Sequence, residues 1–121
     1  MGKPTVFISY SHKDREWEGR LRPHLGLLER AGRITLWDDR RIDAGDTWYN
    51  EIEEAMANAA VSVCLISADY LDSKFCVNEE IPYLLRRRER DGMTLIPVLL
   101  RPCFWEAIDW LKPIQMLPGD G

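Results

Sequence analysis

Short apolar runs alternate with amphipathic helical stripes along most of this chain, and that alternation limits the fold more than any other feature. Residues 5–10, Thr-Val-Phe-Ile-Ser-Tyr, are β-branched, aromatic and nearly all apolar. Such a run suits a strand buried on both faces, as in a parallel sheet. The polar stretch 11–14 comes next and offers good helix N-caps. Beyond it, Trp17, Leu21, Leu25 and Leu28 recur at spacings of four, four and three, which makes one apolar stripe on a helix. Gly32 is placed to close that helix. Pro23 falls inside it and is expected to bend it, because the missing N–H and the ring clash cost about 3 kcal/mol.

The alternation continues. Residues 34–37 read as a short second strand, and the charged stretch 38–46, with Ala44-Gly45, as a long loop. A second helix is predicted from about Thr47, with Trp48, Ile52, Ala55, Met56 and Ala59 on its inner face. Residues 61–66 form a third strand, 67–74 a loop, 75–90 a third helix and 94–100 a fourth strand. A short helix is expected over 104–111, and 114–117 has the character of a fifth strand. Strand-helix alternation of this kind implies a parallel sheet with right-handed crossovers. The fold class is therefore α/β; the expected architecture is a flavodoxin-like three-layer sandwich with a five-stranded parallel sheet in the order 2-1-3-4-5. No helical pattern comes after residues 114–117, so the last helix is expected to be lacking. Residues 1–121 read as one domain, expected to be the N-terminal part of a longer multidomain protein.

Composition narrows the function classes. The net charge is −4, and the arginines are interspersed with carboxylates, which argues against general nucleic-acid binding. The densest basic run, 86–90, falls where a helix should end; it is either a solvated face matched to the helix dipole or a contact for an anionic partner. No apolar stretch approaches the roughly 20 residues that span a bilayer, and no signal peptide is visible. Cys64, Cys76 and Cys103 are irregularly spaced and fit neither a disulfide framework nor a zinc site. The expected setting is reducing and cytoplasmic, with no membrane contact.

Topology directs attention to a site. Small doubly wound sheets bind ligands beyond the carboxyl ends of their strands, where strand order reverses. In the order 2-1-3-4-5 that crevice lies between strands one and three, next to Tyr10, Ser11, Asp38, Phe75 and Glu79. The phosphate-cradling patterns GxxxxGK and GxGxxG are missing, as is the G-x-S-x-G elbow of serine hydrolases. A phosphorylation receiver would want paired acidic residues after strand one, whereas this chain has Ser11-His12 there.

Several boxes, in order and at matching spacing, resemble one family. They are Val6-Phe7-Ile8-Ser9-Tyr10-Ser11 with Asp14; Trp37-Asp38 followed by Ile42-Asp43-Ala44-Gly45 and Trp48; Val63 to Ser67 followed by Tyr70; Phe75-Cys76-Val77-Asn78-Glu79; and Ile96-Pro97-Val98. Together they resemble the TIR (Toll/interleukin-1 receptor) domain, especially its bacterial type, over about residues 4–118. The fourth box resembles the family's W-C-x-x-E segment, with Phe75 at the Trp position.

The resemblance implies one of two activities. Some members of the family assemble as scaffolds through the BB loop, here Asp38 to Asp46. Others hydrolyse NAD⁺ to nicotinamide and ADP-ribose, linear or cyclic, using the glutamate of the W-C-x-x-E segment. Carried over by that resemblance, the catalytic residue is Glu79, with Tyr10, Ser11, Asp38, Arg41, Asp43 and Phe75 as substrate-binding residues. Each has a plainer alternative. Glu79 would otherwise be a first-turn glutamate favoured by the helix dipole, and Tyr10, Ser11, Asp38 and Asp43 ordinary loop and capping residues. Arg40 and Arg41 contact either substrate phosphates or solvent. Glu80, about 100° further round the helix, is expected to face solvent. The resemblance makes NAD⁺ the substrate, requires no cofactor or metal, and makes other TIR domains partners by homotypic assembly. A downstream sensor domain is expected in the same chain, and bacterial antiviral signalling is the implied role. The alternative is a non-catalytic TIR–TIR interaction module, to which Phe75 at the Trp position lends weight.

The chemistry is consistent with one carboxylate. Nicotinamide leaves as a neutral amide and needs no general acid. The demanding event is positive charge on the ribose, which a nearby carboxylate stabilises. Pro82 adds a local expectation: it cannot donate to the Asn78 carbonyl, so the third helix should bend or start loosely beside Glu79.

Overall fold

A computed structural model describes residues 4–37, 48–73, 76–100 and 103–114. Among these described residues, four strands, β1 (Thr5–Ser9), β2 (Thr35–Trp37), β3 (Ala59–Ile66) and β4 (Thr94–Leu99), form one parallel sheet in the order β2-β1-β3-β4. The predicted order 2-1-3-4 is what forms. Of the expected fifth strand, Ile114 is described and lies in a bend; residues 115–117 lie outside the described residues. Helix α1 (Arg15–Arg30) crosses from β1 to β2, and α2 (Trp48–Asn58) leads into β3. Pro23 lies inside α1, which runs 16 residues.

Side-chain alternation sorts the core into two layers. Val6, Ile8, Tyr10, Leu36, Val63 and Leu65 pack on one face of the sheet with Leu21 and Leu25 of α1. Phe7, Cys64 and Ile66 pack on the other with Ile52 and Met56 of α2. Because strand side chains alternate with period two, Ser9 shares the Phe7 face. It pairs in register with Cys64 of β3. A polar residue is thus set on an apolar face at the carboxyl end of the central strands.

The segment after β3 departs from the expected loop and single helix. Ser67 opens a short helix, α3 (Ala68–Asp72), its hydroxyl accepting the Tyr70 N–H at 3.1 Å. A π turn (Cys76–Glu80) then leads into α4 (Ile81–Asp91), with Pro82 in its first turn. The expected irregular start beside Glu79 is therefore present, for the reason given by proline: the i−4 hydrogen bond is unavailable there. Gly92 ends α4 in the left-handed conformation, φ 72°, where a side chain would be strained. In place of the helix expected over 104–111 there is one 3₁₀ turn (Trp105–Ala107) followed by hydrogen-bonded turns.

Candidate active site over the end of the first strand

A cavity of about 640 Å³ opens beyond the carboxyl end of β1. Its walls come from Tyr10 to Lys13 after β1, Trp37 at the end of β2, Ile52 of α2, and Asp69 and Asp72 of α3. Cys76 and Glu80 enter from the π turn. The position agrees with the rule that doubly wound sheets bind ligands beyond strand ends at the switch point. Trp37 stacks on Phe7, with ring centroids 5.2 Å apart and planes 16° from parallel, which fixes a flat aromatic wall.

The loops over the cavity are tied together. Asp14 is fully buried and accepts a short hydrogen bond from the Ser67 hydroxyl, joining the loop after β1 to the start of α3. Ser11 caps the turn below it by accepting from the Lys13 N–H at 3.3 Å. Lys13 stands 4.0 Å from Asp69 at the rim.

A buried carboxylate lines this site. Glu80 is 5% exposed and its Oε1 accepts from the Ser9 hydroxyl at 2.8 Å. Ser9 Oγ is also 2.7 Å from the Tyr70 hydroxyl, and Tyr70 is fully buried. Desolvation raises the Tyr70 phenol well above its ordinary value, the charge on Glu80 acting in the same direction. Burial likewise pushes the Cys76 and Cys64 thiols up to about 12, with Glu80 adding to both. Neither thiol is a nucleophile at neutral pH; Cys76 is a structural cysteine, with its Sγ 3.7 Å from the Tyr10 carbonyl.

One site expectation changes here. Glu80, expected to face solvent, is buried and lines the cavity, whereas Glu79 is exposed and does not line it. The π turn is the physical reason. Its hydrogen bonds close over five residues instead of four, so one more residue passes before the chain returns to the same direction. Counting by α-helical steps therefore misplaces Glu80. Tyr10 and Ser11 do line the cavity, both largely buried. Asp38, Arg40, Arg41, Asp43 and Phe75, with the BB loop as a whole, lie outside the described residues, as does the side chain of Trp48. Sequence reasoning also passed over Ser9 and Tyr70; the available signal was a lone serine on the Phe7 face of an otherwise apolar strand.

A family model described as the TIR domain matches residues 6–119. The chain belongs to the TIR domain family. Solved TIR domains share its fold. Those of the activated Roq1 resistosome, described as directly recognizing the pathogen effector XopQ, superpose with a TM-score of 0.65 at 24% identity, covering 80% of this chain and 57% of that one. The TIR domain of the Toll-related receptor TRR-2 from Hydra magnipapillata gives 0.57 at 26% identity, covering 90% of this chain and 89% of that one. Among curated proteins, uncharacterized protein y4lF of Sinorhizobium fredii is 34% identical over 98% of this chain. The TMV resistance protein N of Nicotiana glutinosa is 28% identical over 77% of it. This chain spans 36% of the length of the first and 8% of the second. No helix among the described residues is long and apolar enough to cross a membrane.

Proposed function

We propose that this TIR domain cleaves NAD⁺ at the bond between nicotinamide and ribose, with Glu80 as the catalytic carboxylate. The observation that carries the reading is the burial of Glu80 at the cavity over the end of β1, fixed by Ser9. In the step itself the glycosidic C–N bond breaks and its electron pair returns to the pyridinium nitrogen. Positive charge collects at the ribose C1′, beside the carboxylate. Water then attacks C1′ and loses a proton, giving ADP-ribose; attack from within the nucleotide gives a cyclic isomer instead. A carboxylate held in a water-poor cavity stabilises that charge more strongly than one in solvent.

The other elements of the reading rest on the family and on relatives. Tyr10 and Ser11, which line the cavity, and Asp38, Arg41, Asp43 and Phe75 are the proposed substrate contacts. Homotypic assembly through the BB loop activates the domain, and a sensor elsewhere in the full protein supplies the trigger. The resistance role in the name of the tobacco relative supports a defence-signalling setting. A second reading, a non-catalytic interaction module, is favoured by Leu27 and Leu28 of α1, which are 61% and 46% exposed. Incubation of concentrated or artificially clustered protein with NAD⁺, with nicotinamide release as the readout, separates the two. Release that is lost in Glu80→Gln supports the enzyme, and no release under any clustering condition overturns it.

A further inference from the structure

We infer that Ser9, itself oriented by Tyr70, is a positioning residue that holds the Glu80 carboxylate in its working orientation; the inference rests on the reading of Glu80 as the catalytic group. Counting protons fixes the direction of each hydrogen bond. An ionised carboxylate only accepts, so the Ser9 hydroxyl spends its single proton on Glu80 Oε1 at 2.8 Å. The 2.7 Å contact with Tyr70 must then be the phenol donating to Ser9 Oγ. Tyr70 has one hydroxyl proton as well, so the chain runs in one direction, from Tyr70 through Ser9 to Glu80.

The three residues come from separate elements: β1, α3 and the π turn. The middle one sits on a central strand, 1% exposed, in register with Cys64. A carboxylate anchored to a central strand keeps its geometry as surrounding loops move, which is what electrostatic stabilisation of a developing charge requires. Burial keeps the Tyr70 phenol protonated, so it remains a donor throughout the working pH range. Among the described residues, titratable groups that interact with Glu80 include Cys76 from its own turn, Tyr70 from α3 and Cys64 from β3. Further out, His12, Lys13, Asp69 and Asp72 share the cavity. The thiols stay neutral through the acid range, and direct titration of Glu80 separates its carboxylate from the other acidic groups at the cavity.

The test combines steady-state kinetics with a carboxyl titration of Glu80 by ¹³C NMR, the latter without NAD⁺. Ser9→Ala should lower kcat roughly tenfold to a hundredfold, the range for a lost hydrogen bond to a charged group, with KM little changed. The acid limb of kcat and the Glu80 titration should both move up by about one pH unit, since a donor to the charged form has gone. Tyr70→Phe should shift both in the same direction by less, and Ser9→Thr, which retains the hydroxyl, should restore both. In a Glu80→Gln background, Ser9→Ala should cost nothing further. Circular dichroism establishes that each variant is folded; if Ser9→Ala is not, Tyr70→Phe and Ser9→Thr decide. Unchanged titration and kcat in the folded variants, or a further loss on top of Glu80→Gln, would overturn the inference. If the unaltered domain releases no nicotinamide, the proposed function fails instead, and the titration alone still decides whether Ser9 governs Glu80.

Discussion

Ser67 donates its hydroxyl proton to the buried carboxylate of Asp14, fifty-three positions earlier in the chain. The same oxygen accepts the Tyr70 N–H, so one serine ties the loop after β1 to the first turn of α3. Removing it leaves a buried carboxylate short of a donor. Ser67→Ala should therefore lower stability by about 1–3 kcal/mol in denaturant unfolding, the cost of a lost buried hydrogen bond to a charged group. Because the Tyr70 N–H loses its cap, the same variant should also loosen the cavity wall carrying Asp69. Hydrogen exchange at residues 68–72 should rise before the rest of the sheet opens.

Arg87 of α4 secures a different junction. Its Nη1 donates to the Met56 and Ala59 carbonyls, closing the end of α2 and the start of β3, while its Nε donates to Asp91. Arg87→Ala should destabilise the domain by about 1–3 kcal/mol through the carbonyls it abandons. The hydrogen bond from Arg87 also holds the Asp91 carboxyl below its ordinary value of 3.8. A carboxyl that titrates lower in the folded state stabilises above the unfolded value and loses that contribution as pH falls through the folded one. Arg87→Ala should return Asp91 toward 3.8, read by carboxyl ¹³C titration, with little change in stability at neutral pH from Asp91 itself, which is exposed.

The cysteines should react unequally. With the Cys64 and Cys76 thiols pushed up to about 12 and both buried, iodoacetamide at pH 8 should label neither in the folded domain. Cys103, partly exposed, should be modified first. Mass spectrometry before and after denaturation reads the difference as one label rising to three.

The strands were legible because their composition allows little else: buried parallel strands must be apolar on both faces, and residues 5–9 and 61–66 are nearly so. The parallel sheet followed from alternation and the handedness of crossovers, whereas the strand order belongs to the flavodoxin-like class and has no signal of its own in the pattern. The start of α4 was legible only in part. Pro82 announces an irregularity in the sequence, and one formed, but its form was not readable. A bent α-helix and a π turn satisfy the same missing N–H, yet they send different glutamates inward. Cys76 and Ile81, at the start of the turn and just after it, both pack into the core, a tertiary effect with no local signature. The short helix α3 was missed for a related reason: five residues carry too little periodicity to register, and its cap, Ser67, looks like any loop serine.

The two adjacent glutamates give the most direct test of the catalytic assignment. Nicotinamide release from NAD⁺ should be measured on clustered domain for the unaltered protein, Glu80→Gln and Glu79→Gln side by side. If Glu80 is the working carboxylate, Glu80→Gln loses about a hundredfold or more, as when a charge-stabilising group is removed, while Glu79→Gln stays within about twofold of the unaltered domain. Loss in Glu79→Gln with turnover retained in Glu80→Gln would contradict that assignment.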